Sequence, residues 1–136
     1  MSVLKIDAQV EKLDEVLAFI DEELEKHEAS MKVQTQIDVA VEEIFVNIAH
    51  YAYENGDGQA QISVDFKEEP TTVIISFADQ GMKFNPLERK DPDTTLSVEE
   101  RQIGGLGIFI VKKSMDSVNY EYKDGSNIFT IEKIIS

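Results

Sequence analysis

Three clusters in this chain have residue types and spacings that suit chemistry. The first is Glu43, Asn47 and His50, within the run Asp38–Tyr53. At about 100° per residue these three share one face of a helix. A carboxylate and an amide oxygen one turn apart, at the edge of a core, can hold a hard cation and its waters. The second is Gly105-Leu106-Gly107, preceded by Gly104, at the start of an apolar helical pattern. Unbranched backbone lets phosphate oxygens approach there, and the free N–H groups and dipole of a helix start favour anions. The third is Asp79-Gln80-Gly81 at the end of an alternating segment. A carboxylate in that place can accept a hydrogen bond from an exocyclic amine such as that of adenine, and the glycine lets a flat ring approach the backbone.

Each cluster also has an ordinary reading. Polar residues one turn apart occur on most helices, glycines before a helix often only make a turn, and Asp-x-Gly is a common turn. The glycine run is not a Walker loop, because no Gly-Lys-Ser/Thr follows, and its surroundings are not those of a dinucleotide fingerprint. His50 is read as a structural residue against the core edge, and Lys112 and Lys113 as exposed charges or partner contacts. Phe45, Phe66, Phe77 and Phe109 are read as core.

The elements that must position these clusters follow from periodicity. Val3–Ile6 is a short strand, and Asp7 offers the cap of a first amphipathic helix over 8–27, with Val10, Leu13, Val16, Leu17, Ile20 and Leu24 on its apolar face. Ser30 caps a second helix over 31–53, whose apolar stripe is Ile37, Val41, Ile44, Ile48 and Ala52. Asn55-Gly56-Asp57-Gly58 is a turn. Ala60–Phe66 and Thr71–Ala78 alternate as antiparallel strands around Glu68-Glu69-Pro70. The pattern lapses between Met82 and Ile103, a length expected of a lid or binding loop. A third helix then runs from Gly104 to about Asp116, and Val118–Tyr122 and Ile128–Ile134 form a hairpin around Asp124-Gly125. The order β-α-α-β-β-lid-α-β-β predicts an α+β two-layer sandwich, with helices on one face of a mainly antiparallel or mixed sheet.

Composition narrows the function. The 136 residues suit one domain, 1–136, with a real core. Asp and Glu number 27 against 13 Lys and Arg, a formal charge of −14 that repels nucleic acid and anionic membranes. An anionic substrate then needs locally placed donors or a metal. The chain has no cysteine, which excludes disulfides, thiolate zinc sites and a cysteine nucleophile, and two histidines are too few for a histidine metal site. No secretory pattern or membrane-length apolar run is present, so the expected location is cytoplasmic.

Taken together, Glu43-Ile44-Phe45-Val46-Asn47, Asp79-Gln80-Gly81 with Phe84 and Pro86, and Gly104-Gly105-Leu106-Gly107 resemble the three ATP-site boxes of the GHKL ATPases. More narrowly, the third box with Ile108, Val111, Met115 and Asp116 resembles the bacterial anti-sigma-factor serine kinases of partner-switching systems. The resemblance covers nearly the whole chain. It implies a Bergerat-type fold and a site for ATP and Mg²⁺, the lid closing over ATP and coupling nucleotide state to partner choice. Asn47 would ligate Mg²⁺ and Glu43 would be the general base. Asp79 would bind the adenine amine with Gly81 close to the ring. Gly104, Gly105, Leu106 and Gly107 would cradle phosphates through their backbone. Thr130 would make a polar contact near adenine, and Arg101 a phosphate or partner contact. The implied partners are a STAS-type anti-sigma antagonist, phosphorylated on serine or threonine, and an RNA polymerase sigma factor held inactive; a homodimer is also implied. The alternative is a nucleotide-responsive binding module without kinase activity. A stand-alone ATPase or histidine-kinase-like fragment fits less well, since no phosphoacceptor histidine segment precedes the domain.

Overall fold

The computed structural model describes residues 1–53, 57–88 and 105–136, with Gly105 and Leu106 placed only as the first residues of a helix. Within them lie β1 (Ser2–Asp7), α1 (Leu13–Lys26), α2 (Met31–Tyr51), β2 (Gln59–Lys67), β3 (Thr72–Asp79), α3 (Gly105–Ser114), β4 (Ser117–Lys123) and β5 (Ser126–Ile134). The strands form one sheet in the order β1-β2-β3-β5-β4. Every pairing in it is antiparallel.

Strand alternation separates the two faces of the sheet. Ala60, Ile62 and Val64 of β2, Val73, Ile75 and Phe77 of β3, and Phe129 and Ile131 of β5 are all buried. They meet Val16, Ile20 and Leu24 of α1, Ile37, Val41, Ile44 and Phe45 of α2, Val111 of α3 and Met115 just after it in one core. The alternate residues of the same strands, such as Gln61, Ser63, Ser76 and Thr130, are only half-buried. This is the α+β two-layer arrangement that the element order predicts, with the helices on one face.

Differences from the sequence-based elements have local causes. Asp7 does not cap the first helix. It is the last residue of β1, opposite Gln59, and the ladder extends to an Ala8 N–H bond on the Gly58 carbonyl of 2.9 Å. A short 3₁₀ turn at Val10–Lys12 follows, and α1 begins only at Leu13 without a side-chain cap. Ser30 does cap α2, accepting from the Val33 N–H at 3.2 Å. That helix stops at Tyr51 rather than 53. Tyr53 is instead held by its hydroxyl, which donates to the Gln59 carbonyl at 2.6 Å and accepts from the Gln80 N–H at 2.9 Å. Asn55 and Gly56 lie outside the described residues. In the β4–β5 hairpin, Asp124 and Gly125 both have positive φ, 53° and 81°, as a tight two-residue turn requires. Of the expected lid over 82–103, Met82–Glu88 are described, ending in a 3₁₀ turn at Pro86–Glu88; 89–103, with Arg101, lie outside.

Two of the four aromatics expected in the core are at its margin. Phe45 and Phe77 are buried. Phe66 is half-buried, with the His27 ring stacked on it at 3.5 Å between centroids. Phe109 is half-buried beneath the Lys113 ammonium, 5.4 Å from the ring centre.

One contact between α1 and α2 is unusual. Asp21 and Asp38 each keep an Oδ1 atom buried with no partner among the described residues. Burial first, then the hydrogen bond and negative charge of Asp21, push the Asp38 carboxyl from 3.8 up to about 8. A carboxyl raised on folding stabilises the fold fully below its unfolded value, and that contribution is lost as pH rises through its folded value. Asp38→Asn keeps the shape and removes the ionisation. Its melting temperature should therefore fall less than the wild type's between about pH 5 and pH 9, as read by thermal melts at both ends. An unchanged slope would show that Asp38 is charged in the fold at neutral pH.

Candidate active site

A pocket opens between α2, α3 and the ends of β3 and β5. From α2 come Ile44, Asn47, Ile48 and Tyr51, from β3 Phe77 and Asp79, and from α3 Ile108. β4 and β5 give Tyr120, Asn127 and Phe129, and the segment after β3 gives Met82, Phe84 and Pro86. The walls are mainly apolar and aromatic, and the polar groups are few. Such a cavity favours a flat, weakly polar ring, oriented by specific hydrogen bonds.

Asp79 is the last residue of β3 and follows Phe77 on the helix-facing side, which is why a carboxylate here is buried. Its Oδ1 accepts from the Gly81 N–H at 2.9 Å and from Asn127 Nδ2 at 3.0 Å. Oδ2 accepts nothing from the described residues. Asp79 lines the cavity, and this oxygen is the one left to accept from an amine-bearing ring there.

Asn47 lines the same pocket from α2. Its Nδ2 is buried with no acceptor among the described residues, so the protein leaves this amide unsatisfied. An amide in that state beside a cavity fits a side chain held for a ligand, and its oxygen is a suitable donor to Mg²⁺.

Glu43, one turn earlier, does not line the cavity. It lies against α3: a Cβ built on Gly107 would stand 2.0 Å from Glu43 Oε2 and 2.8 Å from its Cδ. The first turn of α3 thus stands against the carboxylate end of the Glu43 side chain. Burial, and secondarily the charge of Glu42, raise the Glu43 carboxyl above its ordinary value. The first and second clusters thus meet across the α2–α3 contact.

Other expected positions are placed differently. Gly81 is needed for packing against α2 and is not among the residues lining the pocket. A Cβ there would lie 2.1 Å from the Ala52 carbonyl oxygen, and the neighbouring Met82 N–H donates to that oxygen at 2.8 Å. Thr130 is on the sheet face away from the helices, where its hydroxyl pairs with Ser76 at 3.0 Å. It cannot reach the pocket, because strand alternation sends its side chain to the other side. His50 is exposed, edge-on to Tyr51 at 5.9 Å, and does not line the pocket. Gly105 and Leu106 begin α3; Gly104 lies outside the described residues.

The β5 residue that does reach Asp79 is Asn127, directly opposite it in the ladder. The sequence reading passes over it because it begins the final strand at Ile128, two residues after the actual start at Ser126. The available signal was a polar residue two before Phe129 and four before Ile131, on the face those apolar residues mark as buried. Tyr120 joins it from β4.

Comparison with known proteins agrees with this architecture. Residues 6–133 match the model of the histidine kinase-like ATPase domain. Over 102 residues the chain is 24% identical to the serine/threonine-protein kinase BtrW of Bordetella bronchiseptica, covering 75% of this chain and 71% of that protein. Over 96 residues it is 27% identical to the serine-protein kinase RsbW of Listeria monocytogenes, covering 68% of this chain and 60% of the relative. Among solved structures, the SiaB–SiaC complex of Pseudomonas aeruginosa superposes with a TM-score of 0.63 at 16% identity, covering 99% of this chain and 90% of that one. The RsbU and RsbW domains of a Mycobacterium tuberculosis protein give 0.63 at 15% identity, covering 98% of this chain and 32% of that one. At such identities the structural likeness speaks for the fold. With a family model spanning nearly all of the chain, and an apolar pocket holding a buried carboxylate and an unsatisfied amide, the protein belongs to the histidine kinase-like ATPase domain family.

Proposed function

We propose that this chain is one ATP-binding domain, 1–136, acting as a protein serine/threonine kinase in a cytoplasmic anti-sigma system. In this reading it phosphorylates a STAS-type antagonist and holds a sigma factor inactive. The observation that carries the reading is the meeting of the three sequence clusters. Asn47 and Asp79 line one pocket, and Glu43 of the same helix touches Gly107 at the start of α3. The names of the matched relatives as serine kinases support the choice of acceptor.

The residues divide the work by chemistry. Asp79 accepts the amine of the base, and the apolar walls hold its ring. The start of α3, Gly105 to Gly107, offers backbone N–H groups to the phosphates. Asn47 holds Mg²⁺, which supplies charge neutralisation that an acidic protein cannot provide. Glu43 takes the proton of the incoming hydroxyl. Its raised pKa makes it a stronger proton acceptor than a solvated glutamate.

Calorimetry of ATP binding, with and without Mg²⁺, tests this on wild type and Asn47→Ala. Wild type should bind in a magnesium-dependent way, and the variant about tenfold or more weakly, a loss of about 1.4 kcal/mol for each factor of ten. Wild-type protein that shows no binding in either condition would end the kinase reading for the isolated chain.

A further inference from the structure

Asn127 is 7% exposed, and every polar atom of its side chain is engaged by the protein. Nδ2 donates to Asp79 Oδ1 at 3.0 Å, to the Met82 carbonyl at 2.9 Å and, at longer range, to the Gly81 carbonyl at 3.4 Å. Oδ1 accepts from the Tyr120 hydroxyl at 2.5 Å and from the Phe84 N–H at 3.1 Å. The amide can be oriented only one way. Turning it over would set its oxygen against three acceptor oxygens and its NH₂ against a backbone N–H.

Two consequences follow for the pocket. With Gly81 N–H on the same atom, Asn127 commits Asp79 Oδ1 wholly to the protein and fixes the plane of the carboxylate. Only Oδ2 is left for a ligand. The same amide also ties down the backbone at Met82 and Phe84, whose side chains form one wall of the pocket. Since its donors and acceptors are already used, Asn127 has nothing to offer a base.

We propose that Asn127 is a positioning residue for base selection: it presents a single oxygen of Asp79 to an exocyclic amine and does not touch the base itself. The inference rests on reading the pocket as a purine-nucleotide site. It separates two roles on the pocket floor, with Asp79 as the group that recognises the amine and Asn127 as the group that makes the recognition selective. Without the amide the Asp79 carboxylate is held by the Gly81 N–H alone, and an acceptor with a less fixed direction discriminates less well.

The test compares ATP with purine riboside triphosphate, which lacks only the 6-amino group, on wild type and Asn127→Ala. Binding is measured by calorimetry, with far-UV circular dichroism confirming the fold. Wild type should prefer ATP by roughly ten- to a hundredfold, the range of one hydrogen bond to a charged group. In Asn127→Ala that preference should fall to about two- to threefold, mostly through weaker ATP binding and little change for the analogue. A merely structural residue would weaken both nucleotides equally, so an unchanged ratio overturns the proposal. Should the alanine variant not fold, Asn127→Thr keeps one hydroxyl donor near Asp79, and an intermediate ratio is expected; an unchanged ratio there is equally fatal. Wild-type protein that binds neither nucleotide overturns the nucleotide-site reading and this inference together. Binding of ATP with a variant-independent preference overturns this inference alone.

Discussion

Glu43→Gln should reduce phosphoryl transfer by about 10²- to 10⁴-fold, the usual contribution of a positioned general base, while leaving ATP affinity within a few-fold of wild type. The substitution is nearly isosteric, so the contact with Gly107 that depends on a side chain of this shape survives. What it removes is the ability to take a proton. It also removes a charge that is half-buried beside Glu42, so no loss of stability is expected. The measurement is single-turnover transfer from γ-labelled ATP to a STAS-type antagonist, with ATP binding measured on the same preparations. A second signature comes from pH. Burial raises the Glu43 carboxyl, so the wild-type rate should climb with pH through a value above that of an ordinary glutamate. That limb should be missing from the residual rate of the variant. Transfer that survives in Glu43→Gln would remove the base from the mechanism. No transfer even in wild type, with ATP bound, would favour the alternative of a nucleotide-responsive binding module.

The second large effect is expected at Gly81. Gly81→Ala should destabilise the protein by about 3 kcal/mol, at the upper end of what overpacking costs, and weaken nucleotide binding at the same time. The added Cβ would lie 2.1 Å from the Ala52 oxygen, 2.5 Å from its carbonyl carbon and 2.7 Å from its Cβ. The two nearest of these are backbone, so no rotamer change relieves the clash. Either the end of α2 or the segment after β3 must shift, stretching the 2.8 Å bond from the Met82 N–H to Ala52. That shift passes directly to Asp79, whose Oδ1 is held by the Gly81 N–H. Backbone conformation is not the cause, since Gly125 is the described glycine with positive φ, and it has open space around it. Gly125→Ala should accordingly act through φ alone. Urea unfolding of both variants, with ATP binding measured on the folded protein, separates the two effects. A Gly81→Ala chain of wild-type stability would mean that the α2–β3 contact is looser than described.

The comparison of Gly81 with Gly107 shows how motif glycines divide. Gly107 faces the flexible end of Glu43, which can swing aside from an added methyl. Gly81 faces helix backbone, so its missing side chain sets the depth at which the strand end docks. The sequence reading takes both positions as ligand contacts, and at both the nearest described neighbour is protein.

Much of this protein is written in its local sequence. The apolar spacing of α2 and the alternation of β2 and β3 name their own elements, because periods near 3.6 and 2 bury one face only when the backbone has the matching geometry. The cap at Ser30 and the turn at Asp124-Gly125 are also local, each depending on a few adjacent residues. The three clusters could be ordered along the chain for the same reason. Tertiary structure decided what pairing and packing control. Asp7 went to the sheet because its partner, Gln59, is 52 residues away in the chain. Alternation within β5 decides which face Asn127 and Thr130 take, but the register of β5 against β3 sets Asn127 opposite Asp79. The raised carboxyl of Asp38 needed its burial in the fold first, and then α1 to bring Asp21 against α2. Contacts between distant elements depend on how surfaces fit together, and no window of neighbouring residues contains that information.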